Sequence, residues 1–250
     1  MPFTTYALGD VHGRADLLDG LLGAIEDDAR ASGTEPRILF LGDIVDRGPG
    51  SRAAMDLVCR TLERWPLSRL ILGNHDMWFR DFMTSDQVDE ARFDRWLMRV
   101  GGYQTMESYG LLSANSHAQA AATFRVTYPR HLQALQEADG IVIDGVFAYV
   151  HAGIDPTRPI TDQEPKTLTM IREGFLDHDG PLPRVIVHGH TVTRSLMPEV
   201  SSWRIAIDTG AYGSGRLTCL AVSEDERILH FMFATAEGGH VGITRQDAFT

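Results

Sequence analysis

Side chains able to bind a metal or move a proton recur in one setting along this sequence, directly after a short β-rich run and beside glycine. Residues 4–8 are followed by Asp10 and His12, residues 37–41 by Asp43, Asp46 and Arg47, and residues 70–72 by Asn74, His75 and Asp76. Later runs deliver His151 in FAYVHAG, His188 and His190 in RVIVHGHT, and Asp208 in RIAIDTGAYG. Any one of these has an ordinary explanation, because Gly-Asn is turn chemistry and His or Asp sits well in a solvated loop. Their repetition at strand ends points to one shared site.

A site built from Asp10, His12, Asp43, Asn74, His151 and His190 mixes imidazole and oxygen donors without thiolate. That set suits Mn, Fe or Zn better than copper or an iron–sulfur centre, and the histidines argue against a pure Ca or Mg cage. Six protein donors are too many for one catalytic ion that keeps an open position, and enough for two ions sharing a carboxylate. Two ions roughly 3.5–4 Å apart form a clamp for displacement at phosphorus, and bound cations acidify water towards neutral pKa. On an extended strand His188 would face the same side as His190; it is read as a supporting or packing residue. Asp208 either accepts a hydrogen bond from a ligand histidine or forms a turn. His117, His131, His178, His230 and His240 carry no usable pattern.

The elements that must position these groups are legible. Residues 15–31 carry Leu17, Leu18, Leu21, Leu22 and Ile25 as an apolar helical stripe, and residues 51–65 repeat the pattern with Ala54, Met55, Leu57, Val58 and Leu62. Strand–helix alternation builds parallel βαβ units, whose ligand sites lie beyond the carboxyl ends of the strands. Residues 77–129 break the alternation and read as a helical insertion holding Trp78, Phe79, Phe82, Phe93, Trp96, Leu97 and Met98. Helix packing explains those residues most cheaply; a substrate-facing lid is the sharper reading.

The 250 residues suit one domain, 1–250, with that insertion. With 34 acidic against 23 basic residues, the net charge of -11 argues against general binding to nucleic acid or anionic membranes. Cys59 and Cys219 lack the spacing of a zinc or redox site and read as reduced core residues. Neither a signal peptide nor an apolar run long enough to span a membrane is seen, so a cytoplasmic protein is expected. Oligomeric state is not legible.

Five blocks, Gly9-Asp-Val-His-Gly13, Gly42-Asp-Ile-Val-Asp-Arg-Gly48, Gly73-Asn-His-Asp76, His151-Ala-Gly153 and Gly189-His-Thr191, together resemble the calcineurin-like metallophosphoesterases, in particular their phosphoprotein phosphatase branch. The resemblance covers about residues 4–222 and implies an α/β fold, a β-sandwich of two mixed sheets flanked by helices. It implies a pair of divalent ions, Mn²⁺ first and Fe or Zn next. Asp10, His12 and His190 match ligands of the first metal, Asp43 the bridge, and Asn74 and His151 ligands of the second. A hydroxide bridging the metals would be the nucleophile. His75 matches the general acid, Asp46 the carboxylate that orients it, and Arg47 and Arg172 the phosphate clamps.

The match departs where substrate choice is informed. Protein phosphatases carry arginine where this chain has Leu72, and Asp76 stands where they have glutamate; both changes resemble the symmetrical diadenosine tetraphosphate hydrolases. Those hydrolases usually lack the carboxylate that Asp46 retains. HAGIDP, IREGFL and IDTGAYGSGRLTCL look most like bacterial serine/threonine phosphatases, so the expected function is hydrolysis of phosphomonoesters on a phosphoprotein, including phosphotyrosine, or on a small phosphoester. Symmetrical diadenosine tetraphosphate hydrolysis is the alternative, and a non-catalytic metal-binding partner protein is a third reading.

Overall fold

The computed structural model describes residues 2–85 and 87–247. The first β-rich run forms β1 (Phe3–Leu8), and β2 (Glu35–Phe40) and β3 (Arg69–Leu70) follow it in parallel. The crossovers are α1 (Ala15–Ser32) and α2 (Ser51–Arg64), within one or two residues of the periodic stripes that mark them. Helix α1 stops at Gly33, whose left-handed backbone lets its N–H reach the carbonyls of Ala29 and Arg30.

Helices α3 (Asn74–Thr84), α4 (Glu90–Arg95), α5 (Gly102–Ser108), α6 (His117–Thr127) and α7 (Pro129–Gln136) come next, with a π-helical turn at Trp96–Val100. The helical run therefore begins at Asn74 and continues to Gln136, beyond the 77–129 expected. Both shifts have local causes: the Asp76 carboxylate accepts the Gly73 N–H and starts α3 at once, and Pro129 opens α7 at a position where no backbone donor is needed.

The rest of the chain gives β4 (Ile141–Asp144), β5 (Phe147–Val150), α8 (Pro165–Met170), β6 (Val185–His188), β7 (Glu199–Val200) and β8 (Arg204–Ala206). Then come α9 (Ala211–Ser214), β9 (Arg216–Ser223), β10 (Ile228–Glu237) and β11 (His240–Asp247). Two mixed sheets result, ordered β11-β10-β9-β1-β2-β3 and β4-β5-β6-β8-β7. Side-chain alternation explains their packing. Ala7, Leu39 and Leu41 meet Tyr149, Val187 and Ile205 between the sheets, while Tyr6, Leu8, Ile38 and Phe40 point the other way, into α1 and α2. A smaller cluster, with Ala148, Val150, Leu168 and Phe175, closes the far side of the second sheet. Cys59 and Cys219 are free and buried.

The inserted helices pack around aromatic side chains. Phe79 lies 4.9 Å from Phe124, 5.2 Å from Tyr109 and 6.1 Å from Trp96, centroid to centroid. Such pairs add to ordinary burial. Among the described residues no helix is long and apolar enough to cross a membrane. Phe79→Ala should cost about 3–5 kcal/mol, as truncation of a buried phenylalanine does, read from urea unfolding. A loss below about 1 kcal/mol would show that the aromatic cluster does not support the fold.

Candidate metal centre

The carboxyl ends of β1, β2 and β3 lie side by side, and those of β5 and β6 approach from the other sheet. Asp10 and His12 follow β1, Asp43 follows β2, Asn74 opens α3, and His151 and His190 follow β5 and β6. All six candidate donors come to this edge, and its imidazoles face one oxygen of Asp43. Its Oδ2 lies 3.5 Å from His12 Nε2, 3.5 Å from His151 Nε2 and 4.0 Å from His75 Nε2. Its Oδ1 accepts the His75 backbone N–H at 2.9 Å.

Two overlapping groups share this carboxylate: His12, Asp43 and His75, and Asp43, His151 and His190, the candidate ligand atoms in each lying within 4.8 Å of one another. Asn74 Oδ1 is 3.1 Å from His151 Nε2 and so joins the second group. His190 was expected with Asp10 and His12. Its backbone N–H does donate to both Asp10 oxygens at 3.1 Å, but its ring sits 5.0 Å from that of His151, so the side chain belongs with His151 and Asn74.

The donors are held in the form a cation needs. His12 Nδ1 donates to the Val45 carbonyl at 2.9 Å and His151 Nδ1 to the Leu41 carbonyl at 2.8 Å, which leaves each Nε2 with its lone pair turned to Asp43. Burial pushes the His12 and His190 pKa values down to about 3 and lowers that of His151, which favours the neutral imidazoles a cation needs. Burial opposes ionisation of Asp43 too, but positive charge on the facing imidazoles, together with the His75 backbone N–H, favours its carboxylate form. His190 Nε2 is buried without any hydrogen-bond partner. A buried orphan nitrogen is costly, and a divalent ion on it removes that cost. The residues fit a metal pair.

Beside the cluster lies a second unit. His75 Nδ1 donates to Asp46 Oδ2 at 2.7 Å, and the same carboxylate takes Trp96 Nε1 at 2.7 Å and Thr105 Oγ1 at 2.7 Å. Burial lowers the basicity of His75, but the Asp43 and Asp46 carboxylates raise it by more. Arg47 Nη2 is 3.2 Å from His75 Nε2, and the guanidinium rests over the Tyr212 ring at 4.4 Å. Guanidinium can only donate, so Arg47 must move off Nε2 before that nitrogen carries a proton. Arg172 reaches the site from the far rim, its Nη2 3.4 Å from the His190 carbonyl.

Trp96 and Thr105 had no signal in the sequence, since neither sits at a strand end. Asp76 did have one, an acid three residues after a helix-capping glycine. It accepts the N–H groups of Ile44, Val45 and Gly73, tying the β2 loop to α3, and burial raises its pKa to about 7. Asp208 does not receive a ligand histidine. Its carboxylate accepts the Gly210 N–H at 2.9 Å in a turn and meets Asp10, and burial pushes it up to about 6. His188 is not on the His190 side: His190 has φ 64, so the chain turns between them, and His188 packs edge-on to Phe175.

Local backbone strain marks the same place. His12, Asp43, Asp46, Arg47 and His190 all have φ between 45 and 72, unusual for residues with a Cβ and costing on the order of 1–3 kcal/mol each. Two glycines make room: a Cβ on Gly73 would lie 2.2 Å from Asp43 Oδ1, and one on Gly189 2.1 Å from Asp10 Oδ1.

Comparison with known proteins agrees with this geometry. The family model of calcineurin-like phosphoesterases matches residues 3–194. The symmetrical bis(5'-nucleosyl)-tetraphosphatase of Janthinobacterium sp. (strain Marseille) is 28% identical over 271 residues, covering 88% of this chain and 93% of its own. The asymmetrical bis(5'-nucleosyl)-tetraphosphatase PrpE of Oceanobacillus iheyensis is 29% identical over 238 residues, 88% of each chain. A protein serine/threonine phosphatase from Saccharomyces cerevisiae superposes with a TM-score of 0.55 at 15% identity, over 99% of this chain and 81% of its own, a likeness of fold. The chain belongs to the calcineurin-like phosphoesterase family. It is a metal-dependent phosphoric ester hydrolase, of a family that works with a dinuclear divalent centre.

Trp96→Phe removes one of three donors to the Asp46 carboxylate. Hydrogen bonds to charged groups contribute about 1.5–3 kcal/mol, so turnover of phenyl phosphate, whose leaving oxygen needs a proton, should fall about tenfold or more with metal content unchanged. Unaltered turnover would show that the indole does not hold Asp46 in a working position.

Proposed function

We propose that the protein hydrolyses dinucleoside polyphosphates, splitting a phosphoric anhydride between two nucleotide halves. The observation that carries this reading is the pair of tetraphosphatase relatives matched over 88% of the chain. Leu72, standing where protein phosphatases have arginine, supports it. It reverses the order drawn from the motifs, which put phosphoproteins first.

In this reading Asp10, His12 and Asp43 would hold one divalent ion and Asp43, Asn74, His151 and His190 the other, with Mn²⁺ the first choice. Bound there, the ions supply positive charge to the phosphoryl oxygens and lower the pKa of water. Arg47 and Arg172 clamp the phosphate with planar guanidinium groups. As Arg47 turns to the phosphate it frees His75 Nε2. A water oxygen forms the new bond to phosphorus and gives up a proton to solvent, the anhydride oxygen leaves with its bonding pair, and His75 gives that oxygen a proton. Asp46, 2.7 Å from Nδ1, keeps the imidazole aimed and cationic.

The His75–Asp46 pair also supports a second reading, phosphomonoester hydrolysis. An alkoxide leaves poorly unless protonated, so a built acid matters more for a phosphoserine or phosphothreonine than for an anhydride. Purified enzyme with Mn²⁺ should turn over diadenosine tetraphosphate with kcat/KM at least about tenfold above phosphoserine, phosphothreonine and phosphotyrosine peptides, a margin of about 1.4 kcal/mol. Two molecules of ADP would mark the symmetrical split, and ATP with AMP the asymmetrical one. Turnover of the peptides alone would overturn the first reading, and no turnover of any of them would support a binding role.

His75→Ala should lower kcat about 10²–10⁴-fold with both ions still bound. Loss of an ion instead would make His75 a ligand and remove it as the acid.

A further inference from the structure

A cleft of about 550 Å³ opens beside Arg47, lined by Met98, Arg99, Tyr103, Gln104 and Tyr212 among others. We infer that it seats the departing nucleotide half, with Arg99 on its phosphates, Tyr103 or Tyr212 under its base and Gln104 on the base edge. This rests on the polyphosphate reading and adds to it where the leaving group goes and what recognises it.

Four observations carry the assignment. The first is position: Arg47 lines the cleft and sits 3.2 Å from His75 Nε2, so the cleft lies on the side where the acid faces. Size is the second, since ligand sites of roughly 300–1,000 Å³ hold molecules of nucleotide scale.

Charge is the third. The protein carries -11 overall, yet no acidic side chain lines this cleft. Many of the other arginines are paired with carboxylates, as Arg37 is with Asp144 and Arg158 with Asp162. Among the described residues Arg99 has neither ion pair nor side-chain hydrogen bond, and Arg47 has no carboxylate partner. Arg99 is thus a guanidinium without a partner in a wall that Arg47 also lines, and the two suit an anion with several phosphate oxygens.

The fourth is the wall itself. Tyr103 and Tyr212 are each 44% exposed and Met98 67%, apolar surface open to a planar ring. Gln104 offers an adjacent donor and acceptor, the pair that matches the N6 and N7 edge of adenine. Met98 and Arg99 stand on the π-helical turn Trp96–Val100, a feature frequent at functional sites. That turn is fixed to the catalytic unit twice, through Trp96 Nε1 on Asp46 and through the Gly101 carbonyl, which accepts the Arg47 N–H at 3.1 Å. The cleft wall and the His75–Asp46 pair are thereby one rigid piece.

The test compares the Mn²⁺-loaded wild type with Arg99→Ala, Tyr103→Ala and Gln104→Leu, all changes on the cleft surface whose folding is checked by thermal melting. KM for diadenosine tetraphosphate and the Kd for ADP, by calorimetry, should each rise about tenfold in Arg99→Ala. The effect on p-nitrophenyl phosphate, too small to span the cleft, should be several-fold smaller. Gln104→Leu should narrow the preference for diadenosine over diguanosine tetraphosphate. If the wild type cleaves the dinucleotide and none of the variants changes its KM or ADP binding, the cleft assignment is overturned while the polyphosphate reading stands. If the wild type cleaves only phosphopeptides, both fall.

Discussion

One buried carboxylate organises this molecule. Asp43 uses one oxygen to accept the N–H of His75 and turns the other towards three imidazoles at 3.5–4.0 Å. A carboxylate removed from water is costly unless cationic charge answers it. Burial favours neutral His12 and His151 rings, so the protein itself does not supply that charge in full. A set of lone pairs around one anionic oxygen is stable only as a cation site, and the loops after β1, β2 and β6 bear strained backbone to bring it about.

The division of labour between the two sheets and the inserted helices follows. The sheets supply the donors, because parallel strands ending together can converge residues from position 10 to position 190. The helices between β3 and β4 supply rigidity to the His75–Asp46 pair: Trp96 and Thr105 both come from them and both bind Asp46. Packing and function are therefore not alternatives for this segment. Phe79, Phe82 and Trp96 are buried in its core, while Met98 and Arg99, a turn away, line an open cleft.

Much of this was legible from residue types alone. Strand ends beside glycine marked all six candidate donors, and helical periodicity placed α1 and α2 almost to the residue. What the sequence lacked was information carried by distance across the fold. The grouping of His190 with His151 depends on a left-handed turn at position 190 that no spacing rule reveals. Asp208 could bond a histidine or its own turn, and only the geometry decides for the turn and Asp10. Trp96 and Thr105 act through contacts spanning 50 and 59 residues, from a segment whose composition signals only packing. The strands β10 and β11 lie past the last motif, and β11 is exposed along its length, which gives it no apolar alternation to read.

The central claim is that Asp43 joins two cations. Titration of Mn²⁺ into metal-free protein, followed by metal analysis and by electron paramagnetic resonance, tests it most directly. Two ions per chain with the broadened signal of spin-coupled Mn²⁺ are expected. Saturation at one ion, or two ions with uncoupled signals, would contradict it.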